Sequence, residues 1–191
     1  HLLEIRGVVV EQRLRDVHEI IFDVISTIPS SRMLTSLAPV IFKNFDKILF
    51  QKLYQFCGDA GCLQRLLWVL AQVQRVILKW ADQLSTPREK RDAERKARIL
   101  ATYYEVFKSN FYRTNRIVDG DKNAMGEDLL SARYLSARSR KGPQDPFSHQ
   151  SPQSSLDELR DQRDDVAREW NIITDIKTEH FFEAFVQAQS L

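Results

Sequence analysis

The chain has 191 residues, 43% of them hydrophobic and 28% charged, and carries a net charge of +2. That composition is the ordinary one of a globular protein. It is far from the strongly basic balance of a dedicated nucleic-acid binder, and the length is enough to bury a core without disulfide or metal staples. Six glycines and six prolines are few for this length and disfavour a β-rich fold, which needs many tight turns.

Leu2 to Ser26 is expected to form a first helix, with Leu3, Val10, Leu14, Val17, Ile21 and Val24 at three- and four-residue steps. Gly7 is a soft spot within it. Pro29 stops it, and Ser30 or Ser31 can cap a short helical turn up to Leu37. A second helix is expected over 39–56, with Pro39 at its first position and Ile41, Phe42, Phe45, Ile48, Leu49, Leu53 and Phe56 on one broad face. Gly58 ends it in a tight turn.

The segment 62–84 is apolar nearly all round, and its polar residues keep to a seam of Arg65, Gln72 and Lys79 with Arg75 beside it. Such a helix must be surrounded by other helices. Thr86-Pro87-Arg88-Glu89 reads as an N-cap, a proline at N1 and a capping box. The helix it starts is expected to reach about Ile117, held by the seam Ala93, Ala97, Leu100, Tyr104, Phe107 and Phe111. A shorter helix is expected over 127–138. The stretch 140–155, rich in proline and serine, reads as a flexible loop. Ser155-Leu-Asp-Glu158 reads as a second capping box opening a last helix over 156–189, in which the β-branched run at Ile172 and Ile173 can bend or break the helix.

Charge is uneven. Residues 1–155 hold 24 basic and 17 acidic groups, while residues 156–191 hold 4 basic and 9 acidic groups. The acidic last segment is therefore expected to lie against the basic body, and the seam on 62–84 is one place where it can do so.

The chemical motifs are sparse. Cys57 and Cys62 are too few for a disulfide framework and lack the further ligands of a zinc site, with His1, His18, His149 and His180 scattered singly. Asp119 to Leu130 begins like a calcium loop, but Ala124 stands where glycine is needed and Leu130 where a bidentate glutamate is needed. There is no glycine-rich phosphate loop and no nucleophile motif. No metal, cofactor or catalytic residue is expected.

Two surfaces remain. Trp170, Phe181, Phe182 and Phe185 either fill the chain's own core or meet a second subunit or partner helix. The basic set Arg113, Arg116, Arg133, Arg138, Arg140 and Lys141 is the best nucleic-acid candidate, diluted by Asp119, Asp121, Glu127 and Asp128. No stretch is long and apolar enough for a membrane span. The opening at His1 directly into a periodic pattern predicts a domain of a longer protein, and the cysteine usage predicts an intracellular, nuclear or cytoplasmic setting. The sequence thus predicts a single all-α domain, a bundle of about six helices around a central helix at 62–84. Its expected role is a non-enzymatic interaction, dimerisation or scaffold module that binds itself or another protein. The alternative is a helical accessory domain on nucleic acid.

Overall fold

The computed structural model describes residues 2–5, 8–11, 15–27, 30–118, 125–130 and 152–190. The fold is all-α. Helices α1 (Val17–Ser26), α2 (Ser31–Thr35), α3 (Leu37–Lys43), α4 (Phe50–Asp59), α5 (Leu63–Ala81), α6 (Pro87–Thr114), α7 (Pro152–Gln162), α8 (Asp165–Glu169) and α9 (Thr178–Gln189) carry it, with a 3₁₀ turn at Phe45–Lys47. Two short strand pairs accompany them: β1 (Leu2–Ile5) with β2 (Val8–Glu11), and β3 (Asp128–Leu129) with β4 (Ile172–Ile173).

Helix α5 packs against α3, α4, α6, α8, α9 and β4. Leu66 to Val73 is buried without a break, the consequence of a helix with apolar residues on every side. Antiparallel to it, α6 buries Ala93, Ala97, Leu100, Tyr104, Phe107 and Phe111, the six residues of the expected seam. The four-and-three spacing puts them on one stripe, and small residues at the first two positions let the backbones approach.

Several expected boundaries are corrected. The first helix does not start at Leu2: residues 2–5 and 8–11 form an antiparallel hairpin, in register from Leu2 opposite Glu11 to Ile5 opposite Val8. The triple valine 8–10 loses rotamer freedom in a helix and favours the pleated surface. Helix α1 starts only at Val17, behind a capping box in which Asp16 accepts from the His18 N–H and Glu19 from the Asp16 N–H.

The expected helix 39–56 is split into α3 and α4. Asn44 folds its side chain back onto the Val40 carbonyl at 2.9 Å and ends α3, and Ile48 takes an extended backbone. Helix α4 runs through Gly58 to Asp59, and the left-handed position falls on Gly61 instead, at φ 69°. Thr86 caps α6 without a side-chain hydrogen bond, so the expected capping box there does not form, although Pro87 does sit at the helix start.

The expected helix 127–138 begins as a strand: Asp128 and Leu129 pair in parallel with Ile172 and Ile173. Residues 131–138 lie outside the described residues, as do 140–151 of the expected loop. At its far end that loop is already helical, since α7 starts at Pro152, and Ser155 lies inside the helix where a cap was expected. The expected helix 156–189 is three helices and a strand. Asp164 ends the first by capping the next, its Oδ1 accepting the Ala167 N–H at 2.8 Å. Asn171 at φ 48° then turns the chain into the β-branched pair of β4.

Candidate interaction surfaces

Polar side chains on α5 fasten the acidic segment to the body. Gln72 is fully buried. Its Nε2 donates to Asp164 Oδ2 at 2.8 Å, and its Oε1 accepts from Thr178 Oγ1 at 2.6 Å. One turn along, Arg75 makes a bidentate pair with Asp165, both contacts at 2.6 Å, and Lys79 lies 4.5 Å over the Phe182 ring. One seam on α5 thus meets the starts of α8 and α9. Asp164→Ala removes a helix cap and strands a buried amide, and it is expected to destabilise the fold by about 2–4 kcal/mol in urea unfolding. A loss under about 1 kcal/mol would show that the cluster is not satisfied as described.

Arg65 makes a second fastening. Its guanidinium donates to both carboxylate oxygens of Asp128, at 2.5 and 2.7 Å, and to the Thr27 carbonyl at 2.9 Å, with longer contacts to the Ile25 and Ser26 carbonyls. It therefore closes the C-terminus of α1 and holds β3 in place. Next to it, Gln64 donates to the Gly126 and Trp170 carbonyls.

The aromatics singled out as partner-binding residues sit inside the chain. Trp170, Phe181 and Phe185 are fully buried. Trp170 packs edge-on to Tyr104 and Phe111 and donates its Nε1–H to the Tyr104 hydroxyl at 3.1 Å. Phe181 meets Trp68, and Phe185 meets Phe42 and Trp80. The reason is the break at 163–178: it turns α9 across α5 and α3, where its stripe finds an apolar cover. Phe182, about 100° round the helix, stays half-buried under Lys79. Of the basic set, Arg113 and Arg116 are exposed at the end of α6. Arg133, Arg138, Arg140 and Lys141 lie outside the described residues.

Several titratable groups are engaged in structure. His18 is buried, with Nδ1 2.8 Å from Asp16 Oδ2 and Nε2 accepting the Leu49 N–H at 2.8 Å. Both ring nitrogens are occupied, Nε2 as the acceptor and Nδ1 as the donor. The His18 ring Nδ1–H beside Asp16, helped by Lys52 and the His18 backbone N–H, holds the Asp16 carboxyl down to about 2. A carboxyl lowered in the folded state contributes stability that is present above its unfolded value near 4 and is lost as pH falls through about 2. Asp16→Asn is therefore expected to flatten the fall of the urea midpoint between about pH 4 and about pH 2 relative to the parent. Parallel curves would remove Asp16 as the cause.

Burial pushes the Tyr104 phenol above its ordinary range, with Glu169 adding to the effect. Tyr104 and Lys108 both donate to Glu169 Oε1, so this group joins α6 to α8. Cys57 and Cys62 are both free and buried. A hydrogen bond between the two thiols raises Cys57 and lowers Cys62. No group of three metal-ligating side chains occurs among the described residues.

Two open grooves remain. One, of about 470 Å³, runs between α2 and α9 past Arg32, Asp175, His180 and Glu183. His180 Nδ1 accepts the Lys177 N–H, and no hydrogen bond joins His180 to Asp175 or Glu183 among the described residues. The other, of about 380 Å³, lies between α1 and α4. Its floor is the edge-to-face pair Phe22 and Phe56, with ring centroids 5.8 Å apart, and its rim carries Glu19, Asp23 and Asp59. Both rings are half-buried. On one side Lys52 already lies 5.4 Å over the Phe56 ring, and Arg15 pairs with Asp23 at 2.5 Å. Sequence reading missed this groove because its two rings come from separate helices and neither stands in a motif.

Comparison with protein-family models, with curated proteins and with solved structures finds no match. Among the described residues, no helix is long and apolar enough to cross a membrane.

Proposed function

We propose that the chain is a non-enzymatic protein-interaction module that takes a basic, amphipathic segment of another protein across the α1–α4 groove. The observation that carries this reading is the half-buried Phe22–Phe56 floor with Glu19, Asp23 and Asp59 at its rim, where Asp23 already holds Arg15 and Lys52 already lies over Phe56, so the groove takes cations from within the chain. A lysine or arginine can lay its aliphatic stem and cation over such rings while its head reaches a carboxylate, as Lys52 already does over Phe56 from within the chain.

A labelled peptide of alternating lysine and leucine turns and its glutamate counterpart test the reading by fluorescence anisotropy. The basic peptide is expected to bind at least about 10-fold more tightly, and Phe22→Ser with Asp59→Lys to remove that preference. Equal binding of both peptides, or an unchanged preference in the variant, would reject the groove. Self-association is not part of this reading, because Trp170, Phe181 and Phe185 are spent on the chain's own core. Light scattering after size exclusion is expected to give a monomer mass at tens of micromolar. A dimer mass would return the dimerisation reading.

A further inference from the structure

The outer face of α6 is an arginine stripe. At 100° per residue, Arg88, Arg91, Arg95, Arg98 and Arg113 fall within an arc of about 80°, and all five are exposed. The other residues in that arc, Thr102, Val106 and Ser109, are exposed and uncharged. The four acidic residues of the helix, Glu89, Asp92, Glu94 and Glu105, lie outside it. Arg88 to Arg98 spans about 15 Å along the axis, Arg113 follows about 22 Å further on, and exposed Arg116 continues the row past the helix end.

Residue choice on this helix is segregated. All cations in the arc are arginines. The three lysines of α6 lie off it, and each meets another part of the chain: Lys90 meets Asp82, Lys96 the Phe42 ring (besides Asp92 of its own helix), and Lys108 Glu169. A solvated charged face has no need of that sorting. Planar, forked donors repeated at one-turn spacing suit a row of phosphates, which arginine takes up in bidentate fashion. The guanidinium groups of Arg88 and Arg98 have no hydrogen bond or ion-pair partner among the described residues. The bonds of Arg91 to the Pro87 carbonyl, of Arg95 to Asp92 and Asp46, and of Arg113 to Asn110 are all exposed and are readily exchanged for phosphate.

We infer that the α6 stripe binds the phosphodiester backbone of nucleic acid, independently of base sequence. A lipid surface is the poorer fit. An interfacial helix must lower its apolar face into the bilayer, and the apolar face of α6 is closed in the core. The groups that bind are Arg88, Arg91, Arg95, Arg98 and Arg113, and none of them lines the α1–α4 groove.

Anisotropy of a labelled mixed-sequence DNA duplex, the matching RNA duplex and a single strand tests this with the full chain. Five phosphate contacts are expected to give a log–log salt slope of about −4 to −5 on duplex DNA, a loss of roughly 500-fold between about 50 mM and about 200 mM salt. Replacing Arg88, Arg91, Arg95 and Arg98 by Gln is expected to weaken binding at the lower salt by about 100-fold with the thermal melt unchanged. The charge-matched replacement of Lys52, Lys79, Lys90 and Lys177 by Gln is expected to leave it within about threefold. No binding at the lower salt overturns the inference, as do equal losses in the two variants. Tighter binding to phosphatidylserine vesicles or to a polyglutamate peptide than to any of the nucleic acids also overturns it.

Discussion

Trp170→Ala is expected to lower the free energy of unfolding by about 3–5 kcal/mol, and to drop the melting temperature of a chain this size by about 10 °C. The indole is fully buried, lies against Tyr104, Phe111 and Tyr112, and makes a buried hydrogen bond to the Tyr104 hydroxyl. Truncation leaves a cavity and removes that donor. Phe182→Ala is the contrast. That ring is half-buried and loses mainly its contact with Lys79, so about 1 kcal/mol is expected. Urea unfolding separates the two. A Trp170→Ala protein as stable as its parent would place the side chain on the surface and restore it as a partner-binding residue.

Arg65→Ala is expected to cost a similar amount, about 3–5 kcal/mol, for an electrostatic reason. The side chains of the Arg65–Asp128 pair are only 15% and 21% exposed. Removing the guanidinium leaves a desolvated carboxylate and uncovers the last carbonyls of α1. Asp128→Ala alone strands the arginine. The double variant Arg65→Ala, Asp128→Ala is therefore expected to lose less than the sum of the single losses, by about 1–3 kcal/mol. Additivity within about 0.5 kcal/mol would mean that the two groups do not interact.

What the sequence made legible is what depends on local spacing. The α6 seam from Ala93 to Phe111 and the wholly buried stretch of α5 could be read because helical periodicity is a property of neighbouring residues. The α5 seam was legible as one place where the acidic segment could dock, and Gln72 and Arg75 take that role while Arg65 pairs with Asp128 instead. The strand pair 2–5 and 8–11 was not legible, because Leu3 and Val10 fit a helical step as well as a strand, and only the valine run and Gly7 argued otherwise. The fate of Trp170, Phe181 and Phe185 was not legible either. A stripe states that it needs cover and not what covers it, and the answer here is Tyr104, Trp68 and Phe42, each far along the chain. The α6 arginines stood in plain view but formed no motif. Only the placement of the lysines, settled by tertiary contacts, sets them apart.

The Gln72, Asp164 and Thr178 cluster has a kinetic consequence. It ties the first residues of α8 and α9 to the middle of α5. Helix α9 cannot lift away without leaving the Gln72 Oε1 without its Thr178 donor in the core. Local opening of the C-terminal helix is then as costly as disrupting the interior itself. The amide hydrogens of α9 should exchange with solvent at the slow rate of α5, and a protease should find its first foothold elsewhere in the chain.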